Sequence, residues 1–163
     1  MKIKNLRIGS GFDAHRFGDL PVESIRIGGV AVPYHREILA HSDGDVVLHA
    51  LCDAMLGALA LGDIGKHFPD TDLRYRDVNS RDLLRDTYKK MTSRDYHLVN
   101  ADITLIAEAP RVAQFVEEMR GNIAEDLGVV MDVISIKATT TEKMGFVGRE
   151  EGLAAQAVVL LGA

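Results

Sequence analysis

The sequence predicts an α+β fold, with helices packed on one face of a sheet. Two patterns support this class: apolar and polar residues alternate over residues 2–11 and 98–107, and apolar residues recur at three- and four-residue intervals in the predicted helices. The predicted order is strand, hairpin, helix, helix, strand, helix, strand, strand, with no internal repeat or linker. Periodicity leaves the order of the strands within the sheet open.

The first third of the chain carries the predicted N-terminal strand and a hairpin. Residues 2–11 alternate and predict a strand, and the glycines within residues 9–11 allow the backbone to bend or to approach a ligand. Residues 17–23 have the composition of a loop. Residues 25–33 predict a hairpin around Gly28-Gly29.

A polar loop followed by an apolar helix is the central feature of the sequence. The helix is predicted to begin near Asp45, with Asp43 or Asp45 as its N-cap, and to run to about residue 61. His49 then lies one turn inside the helix. Asp53, a further turn along, is predicted to orient His49. Residues 62–72 are rich in turn formers, so we expect no regular structure there.

The second half of the chain continues with two helices and three strands. Ser80 is the predicted N-cap of the second helix, and Pro110 is predicted to open the third, which ends at Gly128. The predicted ranges are a helix over 80–91, a strand over 98–107, a helix over 110–127, and strands over 133–138 and 153–161.

Length, charge and cysteine content limit the class of protein. The 163 residues predict one domain, 1–163, and the net charge of −5 argues against a nucleic-acid partner or an anionic membrane. Cys52 is the single cysteine and cannot form an internal disulfide, as is typical of a reducing compartment. The chain shows no signal pattern and no apolar run of about 18 residues. We therefore expect a soluble cytoplasmic protein that does not enter a membrane.

Asp13, His15 and His49 form a candidate metal site. Asp13 and His15 point to the same side of an extended strand because side chains alternate with period two. One carboxylate and two imidazoles make a three-ligand set that leaves a coordination position free. Asp13 and His15 taken alone are more typical of a polar turn; His49 as a third ligand favours the metal site, but spacing does not establish that the three residues meet.

Residues 139–143 form a second chemical cluster of three threonines, a glutamate and a lysine. The hydroxyls could donate to phosphate oxygens while Glu142 holds a cation, or they could only cap the following turn. The chain has neither a Walker-type phosphate loop nor a nucleophile elbow, which argues against a P-loop nucleotidase and a serine hydrolase. From the residues alone, metal-assisted phosphate chemistry is the most specific hypothesis.

Six segments, in order along nearly the whole chain, resemble the 2-C-methyl-D-erythritol 2,4-cyclodiphosphate synthase family of the non-mevalonate isoprenoid pathway. They are residues 11–15 (GFDAH), 41–45 (HSDGD), 62–66 (GDIGK), 68–72 (FPDTD), 107–110 (AEAP) and 137–143 (KATTTEK).

The resemblance implies a homotrimer in which each subunit contributes a four-stranded sheet that faces inward, with active sites between subunits. It implies conversion of 4-diphosphocytidyl-2-C-methyl-D-erythritol 2-phosphate to the 2,4-cyclodiphosphate and CMP, a phosphorus–oxygen lyase reaction. In this reaction the 2-phosphate attacks the β-phosphorus of the same molecule. Two alternatives remain: a metal-dependent phosphohydrolase, and a non-catalytic trimer that binds a prenyl diphosphate.

The resemblance also assigns roles to individual residues. Asp13, His15 and His49 match zinc ligands, and Glu142 matches the ligand of a second divalent cation, Mg²⁺ or Mn²⁺. His41 and Thr140 match transition-state stabilisers. The residues matched to substrate binding, besides those ligands and stabilisers, are Ala14 and Ser42; Asp63, Ile64, Gly65, Phe68, Pro69, Asp70, Thr71 and Asp72 for methylerythritol; and Ala107, Glu108, Ala109, Pro110, Arg111, Val112, Ala113, Thr139 and Thr141 for cytidine. Phe146, Arg149 and Glu151 match a central cavity that can hold a prenyl diphosphate.

Overall fold

A five-stranded mixed sheet is the framework of the structure, a computed structural model that describes residues 5–163. The part of the first predicted strand before residue 5 lies outside the described residues. In chain order the elements are β1 (Leu6–Pro21), β2 (Ser24–Ile27), β3 (Val30–Pro33), β4 (Arg36–Leu39), α1 (Val46–Ala58), α2 (Ile64–His67), α3 (Ser80–Thr92), β5 (His97–Ile106), α4 (Val116–Leu127), β6 (Ile134–Thr139), α5 (Gly145–Gly148) and β7 (Gly152–Gly162), with short 3-10 turns at Leu73–Tyr75, Ala113–Phe115 and Met131–Val133.

The main sheet has the strand order β4-β1-β7-β5-β6. β5 and β6 are parallel, and the other neighbours are antiparallel. The predicted α+β class is confirmed, but the expectation of four strands is wrong because β4 adds a fifth through the pairing of Phe17 with Ile38. The four residues of β4 are all at least partly exposed, so no alternation marked this strand in the sequence.

β1 is longer than predicted and includes residues that were interpreted as a loop. It pairs with β7 without interruption from Leu6 opposite Gly162 to Arg16 opposite Gly152, and its last residues pair with β4. Gly9 and Gly11 do not bend this strand. A Cβ atom on Gly11 would lie 2.0 Å from the carbonyl oxygen of Ala50 in α1, so the glycines allow the helix to pack directly on the strand.

The helices cover one face of the sheet. α1 packs on β1 and β7 and is almost wholly buried, with α3 against it and α4 against α3 and β6. Asp45 is the N-cap of α1, since its carboxylate accepts from the N–H of Leu48. The opposite face of the sheet exposes apolar side chains, among them Ile8 (73% exposed) and Phe12 (56% exposed).

Three predicted element boundaries are wrong for local reasons. Asn79, not Ser80, caps α3, because its side chain accepts from the N–H of Arg81. α4 begins at Val116 rather than Pro110, which follows a cis peptide and lies in an irregular segment. Within the segment expected to be irregular, α2 forms because Asp63 accepts from the N–H of Lys66.

Two of the other local predictions are confirmed. Gly28 and Gly29 both have positive φ and form the turn of the β2–β3 hairpin, and Gly128 ends α4 in the left-handed conformation. None of the helices in residues 5–163 is both long enough and apolar enough to cross a membrane.

Candidate metal centre and substrate cavities

Three side chains from two elements converge at the helix-covered face of the sheet. Asp13 and His15 lie two residues apart on β1, and His49 lies one turn inside α1. Asp13 Oδ2 is 2.9 Å from His15 Nε2 and 3.1 Å from His49 Nδ1, and the two ring nitrogens are 3.1 Å apart. The predicted convergence of these three residues is therefore observed, although their sequence spacing could not establish it.

The three donor atoms fit a tetrahedral metal ion. Ligands on one zinc ion with bonds of about 2.0–2.1 Å lie about 3.3 Å apart, close to the separations found here. Each residue offers one donor atom, and all three lie within 4.8 Å of one another. Two imidazole nitrogens that face each other need a proton or a cation between them, because two lone pairs repel. The donor set, two imidazoles and a carboxylate, suits a divalent cation of intermediate softness.

Contacts within the triad shift the pKa values of Asp13 and His49. Burial alone would raise the pKa of Asp13, but the hydrogen bonds and charges of His15 and His49 lower it to about 2. Burial opposes protonation of His49, but the Asp13 carboxylate raises the pKa of His49 above 6.5. Asp13 therefore stays ionised and available as a ligand at neutral pH.

The prediction that Asp53 orients His49 is wrong. The carboxylate of Asp53 accepts from the N–H of Ile64 at 2.7 Å and so attaches the α2 segment to α1. The Nε2 atom of His49 instead faces two hydroxyls, Ser80 Oγ at 2.8 Å and Ser42 Oγ at 3.2 Å. Helical spacing placed Asp53 on a suitable face of α1 but could not reveal the competing donor from the following loop.

A cavity of about 220 Å³ opens over the triad. Besides the three donors it is lined by predicted substrate residues, namely His41, Ser42, Ile64, Gly65, Phe68 and Asp70. The Nε2 atom of His41 is buried and has no hydrogen-bond partner among residues 5–163, so it can donate to or accept from a bound ligand. Asp63, Pro69, Thr71 and Asp72 are in the same segment but do not line this cavity.

A second, larger cavity of about 640 Å³ lies at the C-terminal ends of β5 and β6. It is lined by residues predicted for cytidine, namely Ala107, Glu108, Pro110, Arg111, Val112, Ala113, Thr139 and Thr140. Its walls are irregular backbone after β5 and the end of β6. Within the single chain the two sets of predicted substrate residues thus occupy separate cavities.

Comparison with known proteins accounts for this combination of residues. The family model of the YgbB family matches residues 6–162. A protein from Saccharophagus degradans named 2-C-methyl-D-erythritol 2,4-cyclodiphosphate synthase is 58% identical over 156 residues, covering 96% of this chain and 99% of that protein. This chain belongs to the YgbB family.

Solved structures of YgbB-like proteins agree in fold. The structure described as an IspF from Plasmodium falciparum in complex with CDP superposes with a TM-score of 0.85 at 33% identity, covering 97% of this chain and 96% of that one. The bifunctional IspDF from Campylobacter jejuni gives a TM-score of 0.91 at 42% identity. This chain is covered to 97% in that comparison and spans 42% of the bifunctional chain.

Glu108 connects the two parts of the second cavity of this YgbB chain. Its Oε1 atom accepts from the backbone N–H groups of Thr141 and Lys143, both at 3.1 Å. The N–H of Lys143 is the largest influence that lowers the pKa of Glu108. Glu142 and Lys143 both have positive φ, a strained conformation for side-chain-bearing residues that this carboxylate stabilises.

Glu142 is separate from the metal triad within one chain. It is exposed and does not belong to the cluster of Asp13, His15 and His49. Phe146 lines a small cavity together with Ala14, His15 and Glu151, and Arg149 pairs with Glu151 at 2.9 Å. Of the four predicted metal ligands, Asp13, His15 and His49 therefore meet within the single chain, whereas Glu142 lies apart from them and is exposed.

Several residues of the site were missed in the sequence. Tyr75, Val78 and Leu83 line the triad cavity but carry no distinctive chemistry or spacing. Asp43 and Ser80 were assigned to helix capping, whereas Ser80 contacts His49 and Asp43 accepts from Ser80. A serine directly after an N-cap is a weak signal, because capping and site contacts use the same side chains.

Proposed function

We propose that this protein is the isoprenoid-pathway cyclase that converts 4-diphosphocytidyl-2-C-methyl-D-erythritol 2-phosphate to 2-C-methyl-D-erythritol 2,4-cyclodiphosphate and CMP. The observation that carries the proposal is the convergence of Asp13, His15 and His49 under a cavity of about 220 Å³ in a chain of the YgbB family. The absence of a membrane-spanning helix in residues 5–163 is compatible with a cytoplasmic enzyme.

Asp13, His15 and His49 would hold Zn²⁺, and Glu142 would hold Mg²⁺ or Mn²⁺ with the help of substrate phosphates. Bound zinc supplies Lewis acidity and a template for a phosphate oxygen. The exposed position of Glu142 suits a cation that arrives with the substrate.

The remaining groups orient the substrate and offset its charge. His41 and Ser42 line the triad cavity and can donate to phosphate oxygens, and Thr140 does the same from the second cavity. The nucleophile is a phosphate of the same molecule, so catalysis requires alignment more than activation. Alignment of this kind can contribute about 7–11 kcal/mol.

The separate cavities support an active site between subunits. A substrate with cytidine at one end and methylerythritol at the other needs both sets of residues, and one subunit presents them apart. The apolar, exposed face of the sheet supports a homotrimer with sheets inward, in which the second cavity of one subunit completes the triad cavity of the next. Phe146 and Arg149 would then border a central cavity able to hold a prenyl diphosphate.

The test is to incubate the purified protein with the cytidylyl substrate and zinc and magnesium salts, and to analyse the products by mass. A cyclase releases CMP and a product to which no water has been added. A phosphohydrolase would give a product heavier by one water, and an inactive binding protein would give none. Asp13→Ala should abolish both zinc content and turnover, whereas Asp95→Ala, in an exposed turn, should change neither.

A further inference from the structure

His49 is held from both sides of its ring. Its Nδ1 atom faces Asp13 Oδ2 and His15 Nε2, both at 3.1 Å, and its Nε2 atom faces Ser80 Oγ at 2.8 Å. The His49 ring is only 9% exposed, and Ser80 is fully buried at the start of α3. Nδ1 therefore faces the other two predicted metal ligands, and Nε2 faces a buried hydroxyl of the protein.

The direction of the hydrogen bond from His49 follows from a count of protons. A serine hydroxyl has one proton, and that of Ser80 is donated to Asp43 Oδ1. Asp43 Oδ2 also accepts from the backbone N–H of Ser80 at 2.9 Å, and Oδ1 from the N–H of Asp45 at 3.2 Å. Asp43 thus meets three donors and acts as an acceptor, so the Ser80 oxygen presents a lone pair to His49 Nε2.

We propose that Asp43 and Ser80 act as positioning residues that keep the proton of His49 on Nε2, so that Nδ1 presents its lone pair to the metal ion. A neutral imidazole carries one N–H, and the partner of that N–H fixes the tautomer and the ring orientation. Ser42 Oγ, at 3.2 Å from Nε2, is a second and longer acceptor.

The positioning unit joins two distant parts of the chain. Asp43 lies in the loop before α1, and its backbone N–H donates to Val78 just before α3. Ser80 is the first residue of α3. Because Asn79 supplies the helix cap, the hydroxyl oxygen of Ser80 is available as an acceptor for His49. The orientation of His49 on α1 therefore depends on the position of Ser80 on α3.

The first experiment observes the proton directly. Because the inference rests on the proposed metal centre, the zinc-loaded protein is labelled with ¹⁵N-histidine and examined by NMR, with His49 assigned by loss of its signals in His49→Gln. We expect a slowly exchanging proton on Nε2 and a zinc-shifted Nδ1. A proton on Nδ1, with zinc on Nε2, overturns the inference without any variant.

The second experiment measures the affinity for Zn²⁺ by competition with a chelator. Ser80→Ala should weaken zinc binding about 10–100-fold, as is usual when the partner of a ligating histidine is removed, and should speed exchange of the Nε2 proton. Ser80→Thr retains the hydroxyl and should restore most of the affinity. Ser93→Ala is the matched control, because this serine follows the other end of α3 and its hydroxyl donates to the carbonyl oxygen of Lys90, away from His49.

The outcomes separate this inference from the proposed function. If folded Ser80→Ala binds zinc as tightly as the wild-type protein does, the positioning role is overturned, but the proposed metal centre is not. A wild-type protein that binds no zinc overturns both. If Ser80→Ala does not fold, the wild-type NMR spectrum still decides the tautomer.

Discussion

At the scale of single residues, Asp45 shows how a buried charge can serve the fold rather than the chemistry. Its carboxylate is fully buried and accepts from the N–H groups of Gly28, Gly29 and Leu48 at 2.7–3.1 Å. Burial raises the pKa of Asp45, and the three donors oppose that rise. This single side chain joins the β2–β3 turn to the start of α1, the helix that carries His49.

Asp45→Ala should lower the free energy of unfolding by about 3 kcal/mol, because three buried N–H donors lose their acceptor. Urea denaturation measures the effect. Asp72→Ala is the matched comparison: Asp72 also caps a turn and accepts from the N–H of Arg74, but in an exposed segment. We expect a clearly smaller loss there, because water can replace the lost acceptor. Equal losses at the two positions would contradict this account of Asp45.

Cys52 is also a residue of the core rather than of the site. It is fully buried in α1, and burial raises the pKa of its thiol to about 12. An unfolded thiol titrates near about 8.5. The folded state therefore retains a proton that the unfolded state loses, so this group's contribution to stability is complete below about pH 8.5 and declines as the pH rises towards 12.

This assignment predicts that iodoacetamide at about pH 9 alkylates the folded protein at least about 100-fold more slowly than the urea-unfolded protein. Mass spectrometry measures the uptake, and because the chain has one cysteine, the signal reports Cys52 alone. Comparable rates in the two states would mean that the thiol is accessible and ionised in the native protein.

At the scale of elements, the packing of α1 directly on β1 determines where the three predicted metal ligands meet. Gly9 and Gly11 remove the side chains that would separate the two backbones: a Cβ atom on Gly9 would lie 1.9 Å from the carbonyl oxygen of Ala54. Asp13 and His15 follow on the same side of β1, and His49 lies on the same helix. Because the backbones of β1 and α1 lie so close together, the side chains of Asp13 and His15 can reach His49.

Gly11→Ala should therefore destabilise the protein by about 3 kcal/mol, since the added methyl group meets backbone atoms that cannot move independently. Gly57→Ala provides the opposite case on the same helix. The nearest atom outside its own helix would be 3.8 Å from that Cβ, and α1 gains helix propensity worth about 1 kcal/mol. Thermal or urea unfolding of the two variants measures the loss of stability in one and the gain in the other. A Gly11→Ala protein as stable as the wild type would contradict the packing argument.

At the scale of the whole molecule, the sheet has two unlike faces. The helix-covered face is the core, whereas the opposite face leaves Ile8, Phe12 and Val158 exposed. Monomeric proteins rarely leave a contiguous apolar surface of this kind uncovered. The proposed trimer would bury it and would bring the two substrate cavities of adjacent subunits together.

Phe12→Asp should convert the proposed trimer to monomers, because a charge would be buried at the subunit interface without a partner. Sedimentation equilibrium measures the mass, and turnover should be lost together with the assembly. Val130→Asp places the same charge at another exposed apolar residue, beyond the end of α4, and should leave the trimer intact. A wild-type protein that sediments as a monomer and remains active would refute the proposed arrangement of the active site.

The sequence by itself determined the fold class, the helix that carries His49, the glycine turn of the hairpin and the candidate ligands, because these depend on local periodicity and residue chemistry. It could not determine β4, the length of β1 or the role of Asp53. Those depend on partners remote in the chain: Ile38 opposite Phe17, β7 along β1, and the N–H of Ile64. Only the tertiary structure decided that Asp13, His15 and His49 share one centre and that Ser80 and Asp43 support it, since pattern specifies which face a side chain occupies, whereas packing specifies what it meets there.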